Sequence, residues 1–139
     1  MLQFNIELTS KTILVTGAAG FIGSNLAKRL LKENNNIQII GIDNMNDYYE
    51  VSLKEDRLAI LRGYKNYCFV KADIADKEAV FTLFEKYRPQ IVVNLAAQAG
   101  VRYSIDNPDT YIQSNLVGFF DILEGAELAL FLFTGRVPC

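Results

Sequence analysis

Ile13-Leu14-Val15-Thr16-Gly17-Ala18-Ala19-Gly20-Phe21-Ile22-Gly23 is the stretch whose reading decides the fold. An apolar, β-branched run enters a turn punctuated by glycines and leaves it in a helical pattern. A strand feeding such a turn aims several backbone N–H groups, and the positive end of a helix dipole, at one spot, and that spot suits a pyrophosphate. The spacing is Gly-x-x-Gly-x-x-Gly rather than the commoner Gly-x-Gly-x-x-Gly. Gly17 allows the tight turn, Gly20 lets the backbone approach the phosphates without a Cβ, and Gly23 lets the helix lie close to the strand. Three glycines would also serve an ordinary strand–helix turn. The apolar strand before them and the helical pattern after them are what point to a dinucleotide site.

Outward from this turn, strands alternate with helices. Thr12–Thr16 is the first strand, and residues 1–11 before it form a short extension. The first helix runs from about Gly20 to Glu33, with Ile22, Leu26, Ala27, Leu30 and Leu31 on one face, and Asn34-Asn35-Asn36 ends it. Ile37–Ile42 is a second strand, apolar enough to be buried on both faces, and it ends at Asp43. A carboxylate at that position can accept hydrogen bonds from the adenosine ribose hydroxyls. It would also repel the 2′-phosphate of NADP, and no lysine or arginine occurs from Asp43 to Leu53 to offset that repulsion. The pattern therefore favours NAD. Asn44–Tyr49 is a loop in which Tyr48 and Tyr49 either cover a ligand or pack.

A helix over about 51–62 follows, closed by Gly63. The third strand, Asn66–Ala72, ends at Asp73, and Asp76 is placed to cap a helix whose apolar stripe is Val80, Leu83, Phe84 and Tyr87. Pro89 forbids its continuation. Ile91–Ala96 is the fourth strand. It leads into Ala96-Ala97-Gln98-Ala99-Gly100, small residues that would admit a cofactor against bare backbone. Asn107 as cap, Pro108 at the first helical position and Asp109 in the first turn predict one last helix, with an apolar stripe at Ile112, Leu116, Phe119, Phe120 and Leu123. Each strand–helix–strand crossover implies a parallel pair, so the fold class is α/β: a Rossmann-type, doubly wound parallel sheet of about four or five strands, with its ligand at the carboxyl ends of the strands.

Composition agrees with one globular domain. The chain has 139 residues, 50% hydrophobic and 22% charged, with a net charge of −2. No basic stripe suggests nucleic acid, no apolar run suggests a membrane span or signal peptide, and a cytoplasmic location is the simplest reading. Cys68 and Cys139 make neither a disulfide framework nor a metal spacing. With no histidine in the sequence, any mechanism needing an imidazole of its own is excluded.

Four stretches carry a family resemblance: Val15–Gly23, Gly41-Ile42-Asp43-Asn44-Met45-Asn46-Asp47-Tyr48-Tyr49, Leu95-Ala96-Ala97-Gln98-Ala99-Gly100-Val101-Arg102-Tyr103-Ser104, and Ser114-Asn115-Leu116-Val117-Gly118. From about Lys11 to Glu124 the chain resembles the N-terminal half of the extended short-chain dehydrogenase/reductases. Within them it is similar to nucleotide-sugar epimerases, most nearly UDP-glucuronate 4-epimerases of the capsular-polysaccharide type. The resemblance implies tightly held NAD and a UDP-sugar substrate. It places Gly17, Gly20, Phe21, Ile22 and Gly23 at the pyrophosphate, Asp43 at the ribose with Asn44 also on the cofactor, and Asp73 and Ile74 beside adenine. Leu95, Ala96 and Ala97 would flank the nicotinamide ribose, with Asn115 a polar helix position near the active site. Gln98, Gly100, Arg102 and Ser104 fall in the loop leading to the sugar nucleotide, where Arg102 would face a carboxylate or phosphate, or make a surface ion pair. Asn94 stands where relatives often have histidine. Such epimerases oxidise the sugar C4 hydroxyl by hydride transfer to NAD and return the hydride to the other face of the keto sugar.

The resemblance also marks what is missing. The family's catalytic serine or threonine and its Tyr-x-x-x-Lys lie beyond the fourth helix, and neither is found after Glu124, so no catalytic residue is assigned and this chain alone is expected to be inactive. Tyr67 and Lys71 match the spacing, but they fall in a strand, where i and i+4 lie ~13 Å apart rather than the ~6 Å of a helix. The domain reading is an extension over 1–11, a dinucleotide-binding half-domain over 12–126 and an atypical tail over 127–139. In that tail Leu128–Phe133 forms either a substitute fifth strand or a disrupted junction. A sheet ending at the fourth strand exposes an apolar edge, so self-association through that edge or the last helix is expected. Two other functions fit the same residues: a non-catalytic NAD-binding or assembly module, and part of a nucleotide-sugar 4,6-dehydratase.

Overall fold

The computed structural model describes residues 6–135. Met1–Asn5 of the extension, and Arg136–Cys139 with the second cysteine, lie outside the described residues. Four parallel strands, β1 (Thr12–Thr16), β2 (Gln38–Asp43), β3 (Tyr67–Lys71) and β4 (Ile91–Asn94), form one sheet in the order β3-β2-β1-β4. Helices α1 (Phe21–Glu33), α2 (Val51–Arg62) and α3 (Lys77–Tyr87) make the crossovers between them. This is the doubly wound arrangement, and its strand order reverses at β1, so a crevice opens between the carboxyl ends of β1 and β4.

The period-2 alternation of the strands sorts the core into two layers. Ile13, Val15 and Ile39 face one side and pack with Ala27 and Leu31 of α1 and Leu58 and Leu61 of α2. Leu14, Ile40 and Ile42 face the other and pack with Val80, Leu83 and Phe84 of α3. Each such buried aliphatic or aromatic side chain contributes roughly 1.5–3 kcal/mol, so these central strands anchor the fold. The caps follow the sequence where it is explicit. Asp76 accepts from the Ala79 N–H at 3.1 Å, Asn34 closes α1, and α3 ends at Arg88 in the left-handed region, φ +46°, just before Pro89.

Beyond β4 the expectations need correction. A short helix α4 (Val101–Asp106), which the sequence pattern leaves in the loop, comes first, and the expected last helix then runs on in one piece as α5 (Pro108–Tyr111), a π-helical turn over Ile112–Val117, and α6 (Gly118–Thr134). Asn107 makes no side-chain capping bond. Leu128–Phe133 is not a fifth strand; it is the last part of α6. Six consecutive apolar residues suit a helix as readily as a strand, and with no turn before them they extend the helix already under way. The expected stripe of Ile112, Leu116, Phe119, Phe120 and Leu123 is exposed. The packed face of α6 is Gly118, Asp121, Ile122, Gly125 and Ala129. A Cβ on Gly125 would strike the Phe84 ring, and one on Gly118 would strike Ile74. Gly125 thus sets how closely α6 lies on α3, and Gly118 how closely it lies on the segment before α3. In α1 a similar correction applies to Ile22, which is exposed, while Gly23, Ser24, Ala27 and Leu31 form the buried face.

Candidate dinucleotide site

The glycine turn is held from below. Gly17 has φ +66°, a region open to glycine at no steric cost. The Gly20 N–H bonds back to the Gly17 carbonyl at 3.0 Å. A Cβ on Gly23 would collide with that same carbonyl, so only glycine lets α1 start directly over the turn. Among the described residues no side chain caps the N-terminus of α1. Its first-turn amides at Phe21, Ile22 and Gly23 therefore have no helix carbonyl within reach and border the open side of the turn. They are oriented N–H donors at the positive end of a helix, a ready anion site.

In front of this turn lies a cleft of about 570 Å³, within the usual range for a small-molecule site. Gly17, Gly20, Phe21, Ile22, Gly23, Asp43, Asn44, Asp73, Ile74, Leu95, Ala96, Ala97 and Gln98 all line it. Four expected residues do not. Gly100 is the exposed cap of α4, at φ +108°, and its carbonyl accepts from the Tyr111 hydroxyl at 2.5 Å. Arg102 is exposed on α4. Ser104 turns its hydroxyl back to the Val101 carbonyl at 2.6 Å. Asn115, on the π-helical turn, reaches the cleft only through Gln98: its Oδ1 accepts from the Gln98 N–H at 2.8 Å and its Nδ2 donates to the Gln98 carbonyl at 3.0 Å. This paired clamp fixes the strand-to-loop segment on which Gln98 sits. Gln98 is 5% exposed, and its Nε2 is a buried donor with no partner among the described residues. It borders both the cleft and an adjoining polar cavity of about 350 Å³, so an acceptor entering there would satisfy it.

Asp43 is more constrained than a free ribose ligand. Its Oδ2 accepts from the Ala19 N–H at 3.1 Å and its Oδ1 from the Met45 N–H at 2.9 Å. Lys54 Nζ stands 3.6 Å from Oδ1. Asn44 holds Asp73 by its amide, Nδ2 to Oδ2 at 3.0 Å, which joins the carboxyl ends of β2 and β3.

Sequence reasoning missed three contributors. Thr16, fully buried, donates to Asn94 Oδ1 at 2.5 Å and accepts from the Leu95 and Ala96 N–H groups at 2.9 Å. It ties β1 to the start of the loop after β4 and sets the rim carrying Ala96 and Ala97. A threonine opposite an asparagine at two adjacent strand ends was the available signal. Lys54 and Arg57 lie on α2, past the Asp43–Leu53 stretch, and line the cleft. Tyr48 lines the cleft and also meets Tyr49 edge-to-face and Tyr103 in a tilted pair, with ring centroids 4.7 Å apart in both, so it both packs and forms a wall. Tyr67 and Lys71 do not form a catalytic pair. Tyr67 lies over Gly41, its hydroxyl is buried without a partner among the described residues, and burial pushes that hydroxyl well above the ordinary phenol range.

The family model for GDP-mannose 4,6 dehydratase matches residues 14–132. The chain belongs to that family. Among its relatives, protein CapI of Staphylococcus aureus is 56% identical over 112 residues, covering 81% of this chain and 33% of CapI. A probable UDP-glucuronate 4-epimerase of Rhizobium meliloti is 46% identical over 114 residues, 82% of this chain and 33% of that protein. Among solved structures, the Bacillus cereus UDP-glucuronic acid 4-epimerase in complex with UDP-glucuronic acid and NAD superposes with a TM-score of 0.75 at 32% identity, over 84% of this chain and 36% of that one. The family is thus that of Rossmann-type nucleotide-sugar epimerases and dehydratases, as the sequence motifs implied, and the chain spans about a third of the length of these relatives. Among the described residues no helix is long and apolar enough to cross a membrane.

Proposed function

We propose that this chain is the NAD-holding part of a nucleotide-sugar 4-epimerase acting on a UDP-hexuronate, with residues 12–126 as the binding unit. The observation that carries it is the uncapped N-terminus of α1 over Gly23, opening on a cleft whose far walls are Asp43 and the bare backbone of Ala96 and Ala97. The amides of Phe21, Ile22 and Gly23 take the pyrophosphate. Asp43 and Asn44 border the adenosine ribose, Asp73 and Ile74 border adenine, and Leu95–Ala97 border the nicotinamide ribose. Gln98, fixed by Asn115, offers its unpartnered Nε2 on the substrate side. The similarity to the Bacillus cereus enzyme, whose structure holds UDP-glucuronic acid and NAD, supports NAD and this substrate class.

NAD when bound would supply the acceptor for the C4 hydride of the sugar. The residues present bind and orient it and exclude water. They contain no tyrosine–lysine pair on a helix to move the C4 hydroxyl proton, since the spaced pair Tyr67 and Lys71 sits on β3. Calorimetry with NAD tests the binding half of this reading, with saturable binding expected and no binding heat counting against it. Incubation with UDP-glucuronate tests the other half: no UDP-galacturonate is expected from this chain alone, and steady conversion would overturn the assignment of catalysis elsewhere.

A second reading, a module that binds NAD and assembles with another chain, is favoured by the exposed Phe119, Phe120 and Leu123 of α6 and the single-sided pairing of β4. Concentration-dependent sedimentation of the chain distinguishes it. The family match also keeps a 4,6-dehydratase as a third parent activity.

A further inference from the structure

The sheet order sets β1 between β2 and β4. All the pairs are parallel, so the segments leaving these three strands emerge at one edge of the sheet. The segment after β1 is the glycine turn. The segments after β2 and β4 meet each other across it, through tyrosines. Tyr48, in the loop between β2 and α2, sets its ring 4.7 Å from that of Tyr103 on α4, centroid to centroid, and packs on Tyr49 at the same distance. Its hydroxyl rests against Gly100, where a Cβ would strike it. Gly100 has φ +108°, a conformation that favours glycine. Tyr111 of α5 prepares that seat. Its hydroxyl donates to the Gly100 carbonyl at 2.5 Å, and its ring centroid lies 6.4 Å from that of Tyr103.

This junction is built to part. Among the described residues no hydrogen bond or ion pair joins residues 44–50 to residues 100–111, so ring contacts hold it shut. Such contacts are individually modest, and they separate without leaving a buried polar group unpaired. The rings also divide by position. Tyr48 and Tyr49 line the cleft, Tyr103 lines the adjoining polar cavity, and Tyr111 lines neither. We propose that these tyrosines form a clasp across the mouth of the cleft, which must open for a dinucleotide to enter or leave. Tyr48 is the moving arm, and Gly100, Tyr103 and Tyr111 are the seat. This rests on the reading of the cleft as a dinucleotide site. Entry and exit both pass through the open state, so loosening a seat that does not touch the ligand speeds both by one factor and leaves the affinity alone.

The test is exchange of NADH, followed by its fluorescence, on the 139-residue chain. Association is read by rapid mixing, and dissociation by chasing bound NADH with excess NAD. Tyr103→Ala removes the ring that Tyr48 closes on. It speeds both steps about fivefold, with Kd held within about twofold. Tyr111→Phe loses only the bond to the Gly100 carbonyl and speeds both about threefold. Tyr48→Ala also strips the cleft wall, so its dissociation rises more than its association and Kd weakens. Parental rates in a Tyr103→Ala chain whose circular dichroism and melting match the parent overturn the clasp. If that variant fails to fold, parental rates in Tyr111→Phe overturn it instead. Faster dissociation with unchanged association in either seat variant also overturns it, because that pattern marks a weakened wall and not a gate. Binding of neither NADH nor NAD overturns the dinucleotide reading itself, an outcome distinct from binding with unaltered exchange.

Discussion

The two ends of this chain obey different packing rules. From β1 to β4, large apolar side chains fill both faces of the sheet, every crossover helix is where periodicity puts it, and polar side chains such as Asp76 and Thr16 meet specific backbone partners. From Val101 onward, most of the large apolar residues face outward, the last helix carries a π-helical turn, and close packing rests on Gly118, Ile122, Gly125 and Ala129. The lesson is that a periodic apolar stripe identifies the buried face only where the partner surface is present to bury it. Where the stripe is left open, the small-residue face can be the packed one, and the large residues mark a surface available to something else.

The largest effect that would break this comparison is at the turn. Gly23→Val places a side chain on the Gly17 carbonyl and is expected to cost about 4 kcal/mol, with loss of NAD binding, measured by chemical denaturation and calorimetry. Lys54→Met leaves Asp43 buried without its ammonium. It is expected to destabilise by about 3 kcal/mol, and a melting curve matching the parent would show that the pair is dispensable. In the other region, Gly125→Val drives a side chain against the Phe84 ring and should cost about 2 kcal/mol. Because α6 lies away from the glycine turn, NAD affinity measured on the folded fraction should be unchanged.

The smallest effect sharpens the contrast through pH. Asp121 of α6 is 3% exposed, with Oδ2 unpartnered among the described residues. Burial raises its pKa, Lys77 opposes the rise, and Glu124 and Asp76 add to it. A carboxyl raised in the folded state contributes stability in full below its unfolded pKa and loses it as the pH climbs through the folded value. The Asp121 contribution therefore fades from the acid side toward neutral pH. Asp121→Asn should remove that fading and raise stability at pH 7 by about 1 kcal/mol, read from melting temperatures across the acid-to-neutral range.

How much could be read from residues alone follows the same division. The four strands, the glycine turn and the cleft lining over Gly17–Gly23, Asp43–Asn44, Asp73–Ile74 and Leu95–Gln98 were legible, because each depends on local geometry: a β-branched run, a positive-φ glycine, or a carboxylate at a strand end. Lys54 and Arg57 were not, since their approach to Asp43 depends on how α2 folds back over the sheet. Nor was the clamp of Asn115 on Gln98, which needs a π-helical turn that no local residue preference announces. The helical state of Leu128–Phe133 was ambiguous for a different reason, because six apolar residues suit a strand and a helix equally until the preceding turn is seen to be absent.

The central claim is that the glycine turn and the carboxyl ends of β1, β2 and β4 form one dinucleotide cleft. Titrating isotopically labelled chain with NAD while following backbone amide resonances tests it most directly. The account predicts saturable shifts at Phe21, Ile22 and Gly23, at Asp43 and Asn44, and at Ala96–Gln98, with α6 beyond Gly125 unmoved. Saturating NAD that leaves the Phe21–Gly23 amides in place, or shifts confined to α6, would contradict it.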